Sequence, residues 1–332
     1  MLRERAAGLQ ARPRGDRAVS AREPIRIGTR GSALALAQTG HMADKIRAVS
    51  GREVEVVRVT TEGDTSRASL SSLGGTGVFA SALREALLAG ECDLVVHSLK
   101  DLPTAPAPGL RIGAVPKRAD ARDALVARDG LTLDTLPEGA SVGTGSPRRV
   151  AQLRARRPDL DVRDIRGNID TRIGFVTSGE LDAVVLAAAG LGRVDRLDVV
   201  TDFFDLDEHP SAPGQGALAI EMRAAPDSAL DRVVQAIDHG TARQTSTAER
   251  SVLARLEAGC AAPVGATAIV DSQLLLLTAT VYSIDGTQSL TASHGAVLEG
   301  SAAEREQQAR ELGERAADEL LERGAADLAP LS

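Results

Sequence analysis

The stretch LVVHSLKDLP, residues 94–103, decides how the fold is read. Leu94, Val95 and Val96 make a short apolar run suited to a buried strand, and Pro103 blocks its regular continuation. Between them the chain turns, which is expected to expose His97, Ser98, Lys100 and Asp101 at the strand tip. In an open α/β sheet, ligands gather outside the carboxyl ends of the strands, where such a tip lies. A carboxylate directly after a lysine suits acid–base work on a cation. The alternative is a solvated turn with a surface ion pair, worth little to stability.

Working outward, IRIG (25–28) reads as a strand and TRG as a turn. SALALAQTGHMADKIRAV (32–49) reads as a helix with Ser32 as N-cap. VEVVRV (54–59) is the next strand, ending in polar TTEGD, and a Gly-rich loop then feeds a helix that stops at Gly90. RIGAV (111–115) is a further strand. Between about residues 116 and 123 the chain crosses into a second α/β unit. There ALVA, SVGTG, a helix over 146–157, the strand LDVRDI, the helix NIDTRIGFVTSG and the buried strand LDAVVLAAAG restart the alternation. APGQGALAIEMR (212–223) is a turn and a strand returning to the first lobe. Helical patterns follow at 230–237 and 248–256. The tail then changes character: ATAIV, LLLLTATV and SLTASHGAVL read as antiparallel strands and 302–323 as an amphipathic helix.

The expected fold class is α/β, two lobes with a cleft between them plus a small C-terminal α+β domain. The expected domains are a disordered leader over 1–24, lobe 1 over 25–118 with 213–238, lobe 2 over 119–212, and the C-terminal domain over 239–332.

Composition narrows the function. At 332 residues the chain exceeds one ordinary core, and 43% hydrophobic residues with mixed charge describe a folded, soluble protein. With four Phe, one Tyr and no Trp, it lacks stacking platforms for single-stranded nucleic acid. A net charge of −7 disfavours general binding to nucleic acid or anionic membranes. No apolar run approaches the roughly 18 residues of a membrane span. The leader is Arg-rich and has no apolar h-region, so a cytoplasmic location is expected. Two cysteines, Cys92 and Cys260, and five histidines give no disulfide framework and no metal spacing, so no metal is expected.

Three strand-to-helix turns bring small residues together, two of them with arginine: GTRGS (28–32), GGTGVF (74–79) and GTGSPRR (143–149). Backbone N–H groups at a helix start make an anion site. In the third turn Ser146 is expected to cap, Pro147 takes the first helical position, and Arg148 and Arg149 add forked donors. Ordinary capping with a solvated basic pair is the alternative for any one turn. Three on one face favour a ligand. RGNIDTR adds Arg166 and Arg172, and AAAGLGR adds Arg193. With Arg30, these arginines suit bidentate capture of several carboxylates or phosphates. Only three of the 39 basic residues are lysine, so the positions of the arginines matter more than their number. Nucleotide signatures fail: no GxGxxG opens a helix, and there is no Walker lysine. Cys260, in AGCAAP on a loop, is accessible and open to either a structural or a reactive role; Cys92 reads as a small core residue.

Taken together, IRIGTRGSALALAQ, GGTGVFASALREALL, DLVVHSLKDLPT, VGTGSPRRVAQL, RPDLDVRDIRGNIDTR, LDAVVLAAAGLGR, APGQGALAIE and TAERSVLARLEAGCAAPVG closely resemble the porphobilinogen deaminase (hydroxymethylbilane synthase) family, in family order from about 25 to 270. The resemblance implies two periplasmic-binding-protein-like lobes and a third domain presenting the cysteine. It implies a transferase of tetrapyrrole and haem biosynthesis that condenses four porphobilinogens head to tail, releasing ammonia each time, and frees hydroxymethylbilane with water. A dipyrromethane cofactor, held through a thioether to Cys260, primes the chain and is retained. By match, Asp101 is the catalytic aspartate. Arg30, Arg148, Arg149, Arg166, Arg172 and Arg193 would bind the acetate and propionate groups. Ser32, Ser98, Lys100, Thr144, Ser146 and Gln215 would hold cofactor or substrate, and Phe79 would pack on a pyrrole ring. Ser72 and Thr76 stand where many members carry lysines, so anion binding by that loop would rest on backbone N–H groups. A monomer is implied, with product passed to uroporphyrinogen-III synthase. Two rivals remain on sequence: a non-enzymatic bilobal binder of an anionic metabolite, which leaves Cys260 and Asp101 without work, and a ligand-sensing regulator, which would need a helix-turn-helix that the leader cannot supply.

Overall fold

The computed structural model describes residues 23–59, 78–225, 227–259 and 262–331. The chain opens with β1 (Ile25–Thr29), α1 (Ala33–Ser50), β2 (Val54–Arg58), α2 (Val78–Leu88), β3 (Leu94–Ser98) and β4 (Leu110–Ala114). It continues through β5 (Asp123–Ala127), β6 (Ser141–Gly143), α3 (Pro147–Arg156), β7 (Asp161–Arg163), α4 (Ile169–Thr177), β8 (Ala183–Ala187), α5 (Ala188–Arg193) and the two-residue β9 (Asp202–Phe203). β10 (Leu218–Arg223), α6 (Ser228–Gln235) and α7 (Gly240–Arg255) follow. The tail holds β11 (Val264–Asp271), β12 (Leu274–Tyr282), β13 (Ser289–Val297) and α8 (Ala302–Glu322).

Two five-stranded sheets share one plan. In the first the order is β2-β1-β3-β10-β4, in the second β7-β6-β8-β5-β9. In each, the first three strands run parallel and the fourth runs antiparallel to both neighbours. Apolar runs such as LVVHS and AVVLA are buried on both faces, as parallel strands covered by helices require. β10 does return to the first sheet, pairing with β3 and β4.

By internal contacts the chain divides into Met1–Lys117 with Leu218–His239, and Arg118–Ala217 with Gly240–Ser332. The first unit packs Ile25, Ile27, Leu94, Ile220 and Met222 of its sheet against Met42 and Ile46 of α1. Gly28 is glycine because β1 passes Cys92 there: a Cβ would lie 2.9 Å from the Cys92 sulfur. Cys92 is a core residue, and burial pushes its thiol up to about 12. The second unit contains the second sheet and, separately, the antiparallel sheet β11-β12-β13, whose inner face packs on α7 and α8. The fold is therefore α/β with two sheet-containing lobes and a small C-terminal α+β domain.

Boundaries differ from the sequence reading in two informative places. α7 begins at Gly240 rather than 248, because the polar run ahead of Ala248 is buried and hydrogen-bonded: Thr245 and Ser246 donate back to backbone carbonyls one turn earlier. Ser146 stands at the N-cap of α3 with Pro147 inside, yet its hydroxyl makes no capping bond. The short link is Thr144 Oγ1, which accepts from the Ser146 backbone N–H at 3.3 Å.

Candidate active site

The carboxyl ends of β1 and β3 open into a pocket of the first unit. Arg30, Ser32, Leu34, Ala35, Gln38, Ala80, Leu83, Val96, His97, Ser98 and Asp101 line it. β3 ends at Ser98, and one tight helical turn over Leu99–Asp101 carries Lys100 and Asp101 past the sheet. Asp101 is exposed there, whereas Ser98 and Lys100 are half-buried. His97, expected at the exposed tip, is 8% exposed; its place on the last strand residues turns it inward.

Local bonds fix these side chains. Ser32 caps α1, its Oγ accepting from the Ala35 N–H at 3.3 Å, so its hydroxyl serves the helix start. Gln38 Nε2 donates to Ser98 Oγ at 3.1 Å, tying α1 to the strand tip. Behind the pocket, His97 Nε2 lies 3.0 Å from Glu221 Oε2 on β10, and Arg84 of α2 grips Glu221 through Nε and Nη2 at 2.9–3.1 Å. Burial works to raise the Glu221 carboxyl, but bonds from His97 and Arg84 more than offset it and hold it below the usual range.

In the second unit, the two arginines in the first turn of α3, Arg148 and Arg149, turn away from solvent. Arg148 Nη2 lies 2.8 Å from Asp123 Oδ2, and Arg149 Nη2 lies 2.7 Å from Oδ1. Arg148 also donates to Gln152 Oε1 at 2.6 Å and to the Pro210 carbonyl at 3.0 Å. Arg149 donates to the Val185 carbonyl at 2.9 Å. Gln215 Nε2 donates to Asp123 Oδ1 and to the Ala121 carbonyl, each at 2.8 Å. Burial opposes the Asp123 charge, yet Arg148 and Arg149 outweigh it and hold the carboxyl well below its ordinary value. One carboxylate thus faces two buried cations, and the Nε–H groups of both arginines have no partner among the described residues.

Arg172, on α4, is half-buried and donates to the Gly167 carbonyl at 2.9 Å. Burial and the nearby cations Arg149 and Arg166 lower its pKa, which places these arginines within electrostatic reach of one another. Arg166 itself is exposed, 3.9 Å from Asp164. Arg193 ends α5 and donates to the Gly216 carbonyl at 2.6 Å, and burial pulls its guanidinium down to about 10. Thr144 is fully buried at the end of β6. Phe79 falls in the first turn of α2, but its side chain lies outside the described residues, as do Cys260, Ser72 and Thr76.

The structure therefore brings Arg30, Ser32, Ser98 and Asp101 to one pocket of the first unit, and Thr144, Ser146, Arg148, Arg149, Arg166, Arg172, Arg193 and Gln215 to the second. Asp123, Gln38, His97 and Glu221 were not read as site residues. Two of them left a trace in the sequence: His97 stood at the polar tip of the LVVHS strand, and Asp123, an acid at the first position of a buried strand, needs a partner.

The donor set fits a dipyrromethane. Leu34, Ala35, Ala80, Leu83 and Val96 offer an apolar wall for flat rings, Arg30 a fork for carboxylates, and Asp101 an acceptor for pyrrole N–H groups.

Comparison with known proteins points the same way. Residues 25–231 match the family profile described as porphobilinogen deaminase, dipyromethane cofactor binding domain. Residues 243–322 match porphobilinogen deaminase, C-terminal domain. A porphobilinogen deaminase of Leifsonia xyli subsp. xyli is 65% identical over 311 residues, covering 92% of this chain and 94% of that protein. One from Thermobifida fusca is 55% identical over 303 residues, covering 91% and 94%. Among solved structures, the methionine-binding protein MetQ aligns with TM-score 0.42 and 12% identity over 64% of this chain and 89% of its own. The chain belongs to the porphobilinogen deaminase family, transferases of tetrapyrrole biosynthesis that use a dipyrromethane cofactor to condense porphobilinogen head to tail into hydroxymethylbilane.

Proposed function

We propose that Asp101 is the residue that makes this condensation possible, and that Cys260 is the tether of the dipyrromethane. When bound, the dipyrromethane supplies a free pyrrole α-carbon as nucleophile and an anchor for the product until release. Loss of ammonia from porphobilinogen leaves an electron-poor methylene conjugated with the pyrrole nitrogen. Asp101 accepts the pyrrole N–H and steadies that charge. Arg30 in the first unit, and Arg149, Arg166, Arg172 and Arg193 in the second, receive acetate and propionate groups. Arg148 and Gln215, held on Asp123, set the direction of Arg149. Ser98 and Lys100 hold substrate at the strand tip, Thr144 and Ser146 present the start of α3, and Phe79 packs on a ring. Ser32 acts through the helix cap. The observation that carries this reading is the meeting of Asp101, Arg30 and Ser98 in one partly apolar pocket.

The C-terminal domain over 239–332 is the carrier of Cys260, beside lobes over 25–118 with 213–238 and over 119–212. The enzyme works as a cytoplasmic monomer and passes its product to uroporphyrinogen-III synthase. Among the described residues no helix is long and apolar enough to cross a membrane.

One experiment tests the core of this. Intact mass of the purified chain should exceed the sequence mass by two pyrrole units, and Cys260→Ser should lack the increment. Asp101→Asn should keep the adduct and lose roughly two to four orders of magnitude in turnover. A bare wild-type chain unable to consume porphobilinogen after reconstitution would sink the reading.

A further inference from the structure

The condensation has a proton to dispose of. Each porphobilinogen unit that is itself extended loses the hydrogen on its free α-carbon. A π pair of that ring forms the new C–C bond and leaves the ring cationic; the C–H electron pair then returns to the ring and the hydrogen departs as a proton. The ammonia released from the incoming unit can carry that proton away as ammonium, so the balance closes once a group in the pocket receives it first.

His97 is built for that role. It lines the same pocket as Asp101, Arg30 and Ser98, together with Ala80 and Leu83 of α2. Its Nε2 lies 3.0 Å from Glu221 Oε2, and Glu221 is gripped by Arg84. A carboxylate held ionised can only accept, so Nε2 must carry the hydrogen of that bond. In the neutral ring this leaves the lone pair on Nδ1, to which no described residue donates. Glu221 and Arg84 sit 124 and 137 positions from their partners in the chain, His97 and Glu221 respectively, so the arrangement is a product of the fold. The charged neighbours are Arg84 from α2, Glu221 from β10, Arg30 after β1, and Lys100 and Asp101 after β3. Arg84 Nη2 and Glu221 Oε1 pair at 2.9 Å, so the carboxylate that holds the ring is itself fixed in place. We propose that His97, oriented by Glu221 and Arg84, accepts the α-proton at Nδ1 and passes it to the departing ammonia, while Asp101 stabilises the cation. This rests on the assignment of the pocket to porphobilinogen condensation.

The test uses the full chain carrying its adduct. Intact mass first establishes that wild type, His97→Gln and His97→Asn are loaded. Turnover is then compared with porphobilinogen carrying hydrogen or deuterium at the free α-carbon. Loaded His97→Gln should lose about 100-fold in kcat, as removal of a general base does. Its isotope effect on kcat should rise clearly above that of wild type, because loss of the α-proton has become slow. His97→Asn, with a side chain too short to span to Glu221, should behave alike. A role in packing alone would lower thermal stability without moving the isotope effect. Unchanged turnover, slow turnover with no added isotope effect, or variants that fold but stay unloaded would each overturn the proposal. A wild-type chain that carries no adduct would instead defeat the reading of the pocket.

Discussion

Arg148 and Arg149 are neighbours on α3, and both reach the single carboxylate of Asp123, at 2.8 and 2.7 Å. Removing that carboxylate would leave two buried guanidinium groups without a counter-charge, and losing one partner of a buried pair costs about 3–5 kcal/mol. Asp123→Asn is therefore expected to lower the urea-unfolding midpoint sharply at pH 7. The pH dependence has a definite sign. The folded carboxyl ionises at lower pH than the unfolded one, so its stabilisation is full above the ordinary value of about 4 and fades as pH falls toward the folded value. The gap between wild type and Asp123→Asn should narrow below that pH, and a gap that stays constant would contradict the pairing. Asp101 was legible in sequence because Lys100, Asp101 and Pro103 crowd the end of one apolar run. The pairing of Asp123 was not, because Arg149 lies 26 positions away and Gln215 92 positions away, each on another segment.

At the scale of elements, the segment 214–217 leading into β10 runs beside 118–120. Ala119 N–H donates to the Gly216 carbonyl at 3.2 Å, and Arg193 donates to the same oxygen. Gly216 has φ 84°, and a Cβ there would stand 2.6 Å from the Ala119 carbonyl oxygen. Gly216→Ala thus meets both a left-handed backbone, a penalty of order 1–3 kcal/mol, and a backbone atom that cannot swing aside. A melting temperature several degrees lower is expected, with slower turnover from the displaced Arg193; a variant as stable as wild type would show that the two segments separate readily. The Pro/Gly spacing of APGQG announced a turn. That this turn abuts the earlier crossing near Arg118 could not be read from it, since nothing local encodes a meeting of segments about a hundred residues apart.

For the whole molecule, a net charge of −7 coexists with arginines gathered around Arg149, Arg166 and Arg172. Local field, not net charge, governs the capture of a dicarboxylate substrate. Raising ionic strength shortens the Debye length from about 10 Å at 0.1 M to about 3 Å at 1 M. KM for porphobilinogen is accordingly expected to rise severalfold over that range while kcat changes little. A KM indifferent to salt would remove the exposed Arg166 and half-buried Arg172 from carboxylate binding. Both sheets use the same strand order, with the antiparallel fourth strand entering each after the chain crosses between units. The repeated α/β alternation revealed two such units, but only pairing revealed their common plan.

Sequence alone determined which elements form, because apolar period, caps and Pro/Gly punctuation act within a dozen residues. It also determined the family, through many ordered motifs, and the polar tip that bears Asp101. The tertiary structure decided which charges stay open and which are spent on one another. It buried Arg148 on Asp123, turned His97 onto Glu221, and left Asp101 open. Those outcomes depend on desolvation and on partners distant in the chain, and neither quantity exists until the strands have paired.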